Sequence, residues 1–174
     1  MTDLQRLLSG GDRRSIGAAN QVVPMVLAEP ALVAQVFAGF TSDDPVLRMR
    51  CADVAEKVTA QQPELLQPYK RDLLNQFALI EQKEVRWHIA MMLPRLALTR
   101  QEEEKVLGIL RSYCEDSSSI VKTMAMQAMA DLCLKNPALR DTVAHHLSEL
   151  MQIGTPAMLA RGKKLLALLA RQRG

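Results

Sequence analysis

Four stretches of the chain carry apolar residues at positions i, i+4, i+7 and i+11. They are Leu47, Cys51, Val54 and Val58; Val85, Ile89, Met92 and Leu96; Val121, Ala125, Ala128 and Leu132; and Met158, Gly162, Leu165 and Leu169. This spacing keeps one face of an α-helix apolar, because each turn takes about 3.6 residues. The stripes begin at intervals of 36 to 38 residues. Recurrence at such an interval is the mark of stacked helical hairpins, each too small to bury its apolar face alone. The pattern therefore predicts an all-α helical solenoid. Such a stack usually presents an extended binding surface and needs no catalytic centre.

Turn chemistry divides the pattern into helices. Pro30, Pro45, Pro63, Pro137 and Pro156 stand where first turns should begin, preceded by Glu29, Asp44, Gln62, Asn136 and Thr155. Proline suits the first helical position because its missing N–H has no partner there, and Asp, Asn or Thr before it can cap the free amides. Thr99 with Glu102 matches a capping box, and the acidic run Glu102, Glu103, Glu104 complements the positive end of that helix. The predicted pairs are 3–9 with 12–28, 30–40 with 44–60, 63–79 with 83–98, 100–114 with 118–135, and 137–152 with 156–172. Gly10-Gly11 forms the turn of the first and least regular pair. Pro24 and Pro94 fall inside second helices, where each removes an i to i−4 hydrogen bond and predicts a kink.

Composition supports one domain spanning residues 1–174. With 48% hydrophobic residues, 24% charged and only six aromatics, Ala, Leu and Met must fill the core. Cys51, Cys114 and Cys133 show no C-x-x-C spacing and fall within helical patterns, so they read as packed thiols in a reducing cytoplasm. No apolar run reaches the length of a signal peptide or a membrane span. The net charge of +3 is too small to imply nucleic acid without clustering on one face.

Several residues resemble a known family. HEAT repeats carry an Asp in the turn and a Val-Arg or Val-Lys pair opening the second helix. Matching segments are Asp43-Asp44-Pro45-Val46-Leu47-Arg48, Glu84-Val85-Arg86, and Asp116 with Val121-Lys122. The resemblance covers about residues 30–172, is clearest in the middle three units, and weakens at the ends, where Leu159 replaces the expected base. It implies a right-handed α-solenoid of about five HEAT-like hairpins. It also implies that Arg48, Arg86 and Lys122 join a ladder of ionic contacts between neighbouring repeats.

In HEAT-like stacks the second helices line the concave side, so residues beside the buried stripe become candidates for partner binding. In the third pair these are Trp87, His88, Met91 and Arg95; one repeat earlier they are Met49, Arg50, Asp53 and Lys57; one repeat later, Thr123, Met124, Gln127 and Asp131. Trp beside Arg and Met is the composition of an interaction hot spot. The competing reading packs Trp87 between repeats. The expected site is Arg50, Trp87, His88, Met91 and Arg95, supported by Arg48 and Arg86, and the expected ligand is another protein.

HEAT-like folds also include alkylpurine DNA glycosylases, to which the resemblance attaches a basic concave face with aromatic and acidic residues. Arg48, Arg50, Lys57, Trp87 and Arg95 form part of such a surface, but the basic stripe does not continue into Thr123, Gln127 and Asp131. Nucleic-acid binding is therefore the alternative. The chain has no P-loop, G-x-S-x-G, H-E-x-x-H or dinucleotide fingerprint. His145 and His146 are adjacent, hence about 100° apart on a helix, and cannot chelate a metal as an i, i+4 pair does. A non-enzymatic adaptor with no cofactor and no metal is the expectation. The last predicted helix carries Arg161, Lys163, Lys164, Arg171 and Arg173 without an acid. Those cations suit either an acidic partner or the carboxyl end of a helix.

Overall fold

The computed structural model describes residues 3–12 and 14–171, and these contain helices, turns and bends with no strand among them. The chain is all-α. It divides into two compact units, residues 1–97 and 98–174.

The first unit contains α1 (Asp3–Leu8), α2 (Ala19–Ala28), α3 (Val33–Ala38), α4 (Pro45–Gln61), α5 (Lys70–Asn75) and α6 (Lys83–Met92). At its centre α4 packs against α2 on one side and α6 on the other, while α1 and α3 also touch it. This position buries almost the whole circumference of α4, from Leu47 through Cys51, Asp53 and Glu56 to Thr59. A separate aromatic cluster sits beside it: Phe37 stacks on Tyr69 at 3.8 Å between ring centres and on Phe40 at 5.4 Å, and Phe40 meets Phe77 at 4.9 Å.

The second unit contains α7 (Arg100–Tyr113), α8 (Ser119–Lys135), α9 (Arg140–Ile153) and α10 (Pro156–Arg171). Here α10 packs on α8 and α9, and α7 packs on α8. Gly162 sits where a β-carbon would press on the side chains of Met151 and Met126, so α10 approaches its neighbours closely at that point.

All sixteen stripe positions are buried, from Leu47 to Leu169. Each fully buried Val, Leu or Ile contributes about 1.5–3 kcal/mol, so the stripes supply a large part of the stability. The capping signals also operate. Asp44 accepts from the Val46 N–H at 2.8 Å, Asn136 from Ala138 at 3.1 Å, and Thr155 Oγ1 from Met158 at 3.3 Å. Thr99 and Glu102 form a reciprocal capping box.

Four expected boundaries differ, each for a backbone reason. Residues 14–18 are a loop rather than part of a helix, and Gly10, Gly11 and Gly17 take φ of 77°, 76° and 54°, which right-handed helix forbids. The segment 30–40 is helical in pieces, with 3-10 turns at Pro30–Leu32 and Gly39–Thr41 flanking α3. The segment 63–79 runs as a 3-10 helix over Pro63–Tyr69, where Pro68 has no N–H for an α-helical bond, before α5 begins. Pro94 ends α6 at Met92 instead of kinking a longer helix, and a 3-10 turn follows over Leu93–Arg95. Pro24 is accommodated inside α2. None of the helices of the described residues is long and apolar enough to cross a membrane.

Candidate functional site

Val85, Ile89 and Met92 turn toward the core, and this fixes where the rest of α6 points. His88 faces α4 and is buried, whereas Trp87 and Met91, an i, i+4 pair further round the same side of the helix, remain half-exposed. The Trp87 indole stacks on the His88 ring with 3.4 Å between centres.

His88 is held in place by polar contacts on both ring nitrogens. Nδ1 faces the Glu84 carbonyl one turn back, and Nε2 faces Asp53 Oδ1 of α4 at 3.4 Å. The other carboxylate oxygen of Asp53 accepts from Lys57 Nζ at 2.7 Å, and Lys57 also donates to Asn20 Oδ1 of α2 at 2.8 Å. Burial pushes the Asp53 carboxyl up, but the hydrogen bonds from His88 and Lys57 and their charges outweigh it and hold the group below its ordinary value. A continuous polar link therefore crosses α2, α4 and α6.

Arg95 belongs to the same junction. Its guanidinium donates to the Glu56 carbonyl at 2.8 Å and the Thr59 hydroxyl at 3.2 Å, and forms an ion pair with the Glu56 carboxylate. Thr59 in turn donates to the Ala55 carbonyl at 2.8 Å. Arg95 is the last residue of the 3-10 turn over Leu93–Arg95.

Arg50 departs furthest from the expectation of an open, partner-facing side chain, since only 3% of it is exposed. Its guanidinium donates to the carbonyls of Leu8 at 2.9 Å, Gly10 at 2.6 Å and Ser15 at 3.1 Å, with longer contacts to Ser9 and Asp12. Those carbonyls lie at the end of α1 and in the glycine loop, where helical partners are missing. Arg50 and His88 are thus both buried and held by polar contacts within the first unit.

Arg48 and Arg86 act alike. Each donates to a carbonyl six residues back, Arg48 to Ser42 at 2.6 Å and Arg86 to Ile80 at 3.0 Å, fastening the preceding turn to its own helix. Arg48 also donates to Gln82 Oε1 at 2.9 Å, and Gln82 donates to the Pro45 carbonyl at 2.7 Å. Of the seven expected site residues, Trp87 and Met91 are the ones whose side chains are half-exposed without a hydrogen-bonding duty. The link residues Asn20, Glu56, Thr59 and Gln82 were not anticipated. Their signal was an offset between polar partners close to the spacing of the stripes, 35 residues from Asp53 to His88 and 39 from Glu56 to Arg95.

In the second unit the basic set of α10 is divided. Arg161 donates to Gln127 Oε1 at 3.0 Å, Lys163, Lys164 and Arg171 are exposed, and Arg173 lies outside the described residues. His145 and His146 share a carboxylate: Nε2 of the first and Nδ1 of the second stand 3.4 Å and 3.3 Å from Glu149. The hydrogen bond from His146 and the neighbouring charge of His145 hold the Glu149 carboxyl below its usual range. Among the described residues, no group of three or more His, Cys, Asp or Glu is placed to hold a metal ion. Compared with protein-family models, with curated proteins and with solved structures, the chain matches none.

Proposed function

We propose that both units are built from HEAT-like hairpins and that the protein is a non-enzymatic adaptor, binding another protein through the second-helix face of the first unit. The observation that carries this reading is Trp87, half-exposed beside Met91 and stacked on a histidine that Asp53 anchors from the neighbouring helix. A large aromatic residue already fixed in orientation loses little conformational entropy on binding, which is the property of interface hot spots. Arg48, Arg50, Arg86, Arg95 and His88 support that face from within.

The same contacts weigh against nucleic acid as the ligand. Arg48, Arg50, Arg86 and Arg95 are engaged by carbonyls and a carboxylate of the protein itself, and Phe37, Phe40 and Phe77 are packed inside. A single-stranded ligand needs cations tracking its backbone and several stacking rings. The buried free thiols fit a cytoplasmic protein.

The test is affinity capture from lysate with the wild-type chain and a Trp87→Ala/Met91→Ala variant, with and without nuclease. A protein retained by wild type, lost by a variant of unchanged helicity and melting, and resistant to nuclease is the expected result. Recovery of nucleic acid, or capture unaffected by the two substitutions, would overturn the reading.

A further inference from the structure

The second unit contains a cavity of about 430 Å³ at the end where both hairpins turn. Its polar wall includes Arg111 from α7, Lys122 from α8, and His146 and Glu149 from α9. Its apolar wall includes Leu150, Ile153 and Met158, from α9 and α10. Met158 is buried at the floor, whereas Ile153 at the rim is 86% exposed, the most exposed large apolar side chain among the described residues. The volume falls within the range of small-ligand sites, roughly 300–1,000 Å³, which combine apolar walls with a few polar groups.

The charges select among ligands. Glu149 is already engaged by His145 and His146. The Arg111 guanidinium and the Lys122 ammonium line the same cavity, and the Arg111 charge also acts on Glu149. Two cations reaching one space from different helices favour an anion there. Glu115 and Glu149 line the same wall, so a polyanion such as a polyphosphate would meet two like charges. A single negative charge meets less of that repulsion than a polyanion does. The apolar wall, open at Ile153, requires the remainder of the ligand to be apolar.

We propose that this cavity binds a small organic carboxylate with an apolar body, its carboxylate taken by Arg111 and Lys122 and its body lying on Leu150, Ile153 and Met158. The site is independent of the Trp87 face, and either can fail without the other.

The experiment is a titration of the full chain with 3-phenylpropionate, followed through the methyl resonances of carbon-13-labelled methionines. The matching alcohol and amine, 3-phenylpropan-1-ol and 3-phenylpropylamine, are titrated alongside. Saturable shifts of the Met158 methyl are expected with the carboxylate, with affinity roughly tenfold weaker for the alcohol and the amine, the scale of one charge-assisted contact. An Arg111→Gln/Lys122→Gln variant should lose the preference for the carboxylate. The proposal is overturned by an absence of saturable shifts, by equal response to alcohol and carboxylate, or by undiminished carboxylate binding in the variant. The three-ligand comparison on wild type decides the matter even if the variant does not fold.

Discussion

Asp53 and His88 are separated by 35 residues in the chain and by 3.4 Å in space. The pairing is one of a series. Asn20 and Lys57 are 37 residues apart, Arg48 and Gln82 34, and Glu56 and Arg95 39, and in the second unit Gln127 and Arg161 are 34 apart. These separations, 34 to 39 residues, are close to the 36 to 38 residues that space the hydrophobic stripes. Apolar burial drives helices together without direction, whereas a buried hydrogen-bonded pair is satisfied in one register only.

Removing one such contact should be costly and pH-dependent. The Asp53 carboxyl is held below its ordinary value of 3.8, so its contribution is complete above that value and is lost as pH falls through the lower folded-state value. Asp53→Asn should reduce stability near neutral pH by about 1–3 kcal/mol and make the acid limb shallower than in wild type. Urea unfolding between pH 3 and pH 7 checks both; parallel wild-type and variant curves would remove Asp53 from the account.

The loop before α2 rests on a contact between Gly17 and Arg50. Gly17 has φ of 54°, and a β-carbon there would come within 2.6 Å of Arg50 Cζ. Gly17→Ala should cost about 1–3 kcal/mol through backbone strain and displacement of the guanidinium from its carbonyls. Arg50→Met, which leaves those carbonyls without their donor, should expose residues 9–18 to limited proteolysis while the rest of the unit stays resistant.

Gly39 packs against Cys51, where a β-carbon would overlap the sulfur. Gly39→Ala should therefore destabilise by about 1–3 kcal/mol. In Gly39→Ala/Cys51→Ala the overlap with the sulfur is removed while a tight 3.0 Å approach to the β-carbon at position 51 remains, so part of that loss should be recovered. Thermal melting of the two single variants and the double variant measures the coupling.

Burial raises the thiols of Cys51 and Cys114 to about 12 and that of Cys133 to about 11. Because the thiolate is the reactive form, iodoacetamide near pH 8 should label the native chain slowly at all three and the urea-unfolded chain readily. Peptide mass spectrometry over a time course gives the site-by-site rates.

Much of the fold was legible because its causes are local. The stripe from Val121 to Leu132, the caps at Asp44, Asn136 and Thr155, and the Thr99–Glu102 box depend on residues within a turn or two of one another. The site was less legible because its residues are decided by neighbouring helices. Periodicity assigns Arg50, Asp53 and His88 to the flank of a stripe, but α4 is enclosed by both α2 and α6, so its flanks are interior. Polar residues there link one helix to the next. Gly17 was missed for a related reason: the side chain that excludes a β-carbon there belongs to Arg50, a residue distant in sequence.

The claim that the Trp87 and Met91 flank of α6 is a protein-binding face is tested most directly by site-specific photo-crosslinking in cells. A benzophenone amino acid is placed at position 91 and, as a control, at the exposed position of Glu104 on α7. The account predicts a discrete, nuclease-resistant protein adduct at position 91, absent at position 104 and reduced by Trp87→Ala. An adduct with nucleic acid, or the same diffuse labelling at both positions, would contradict it.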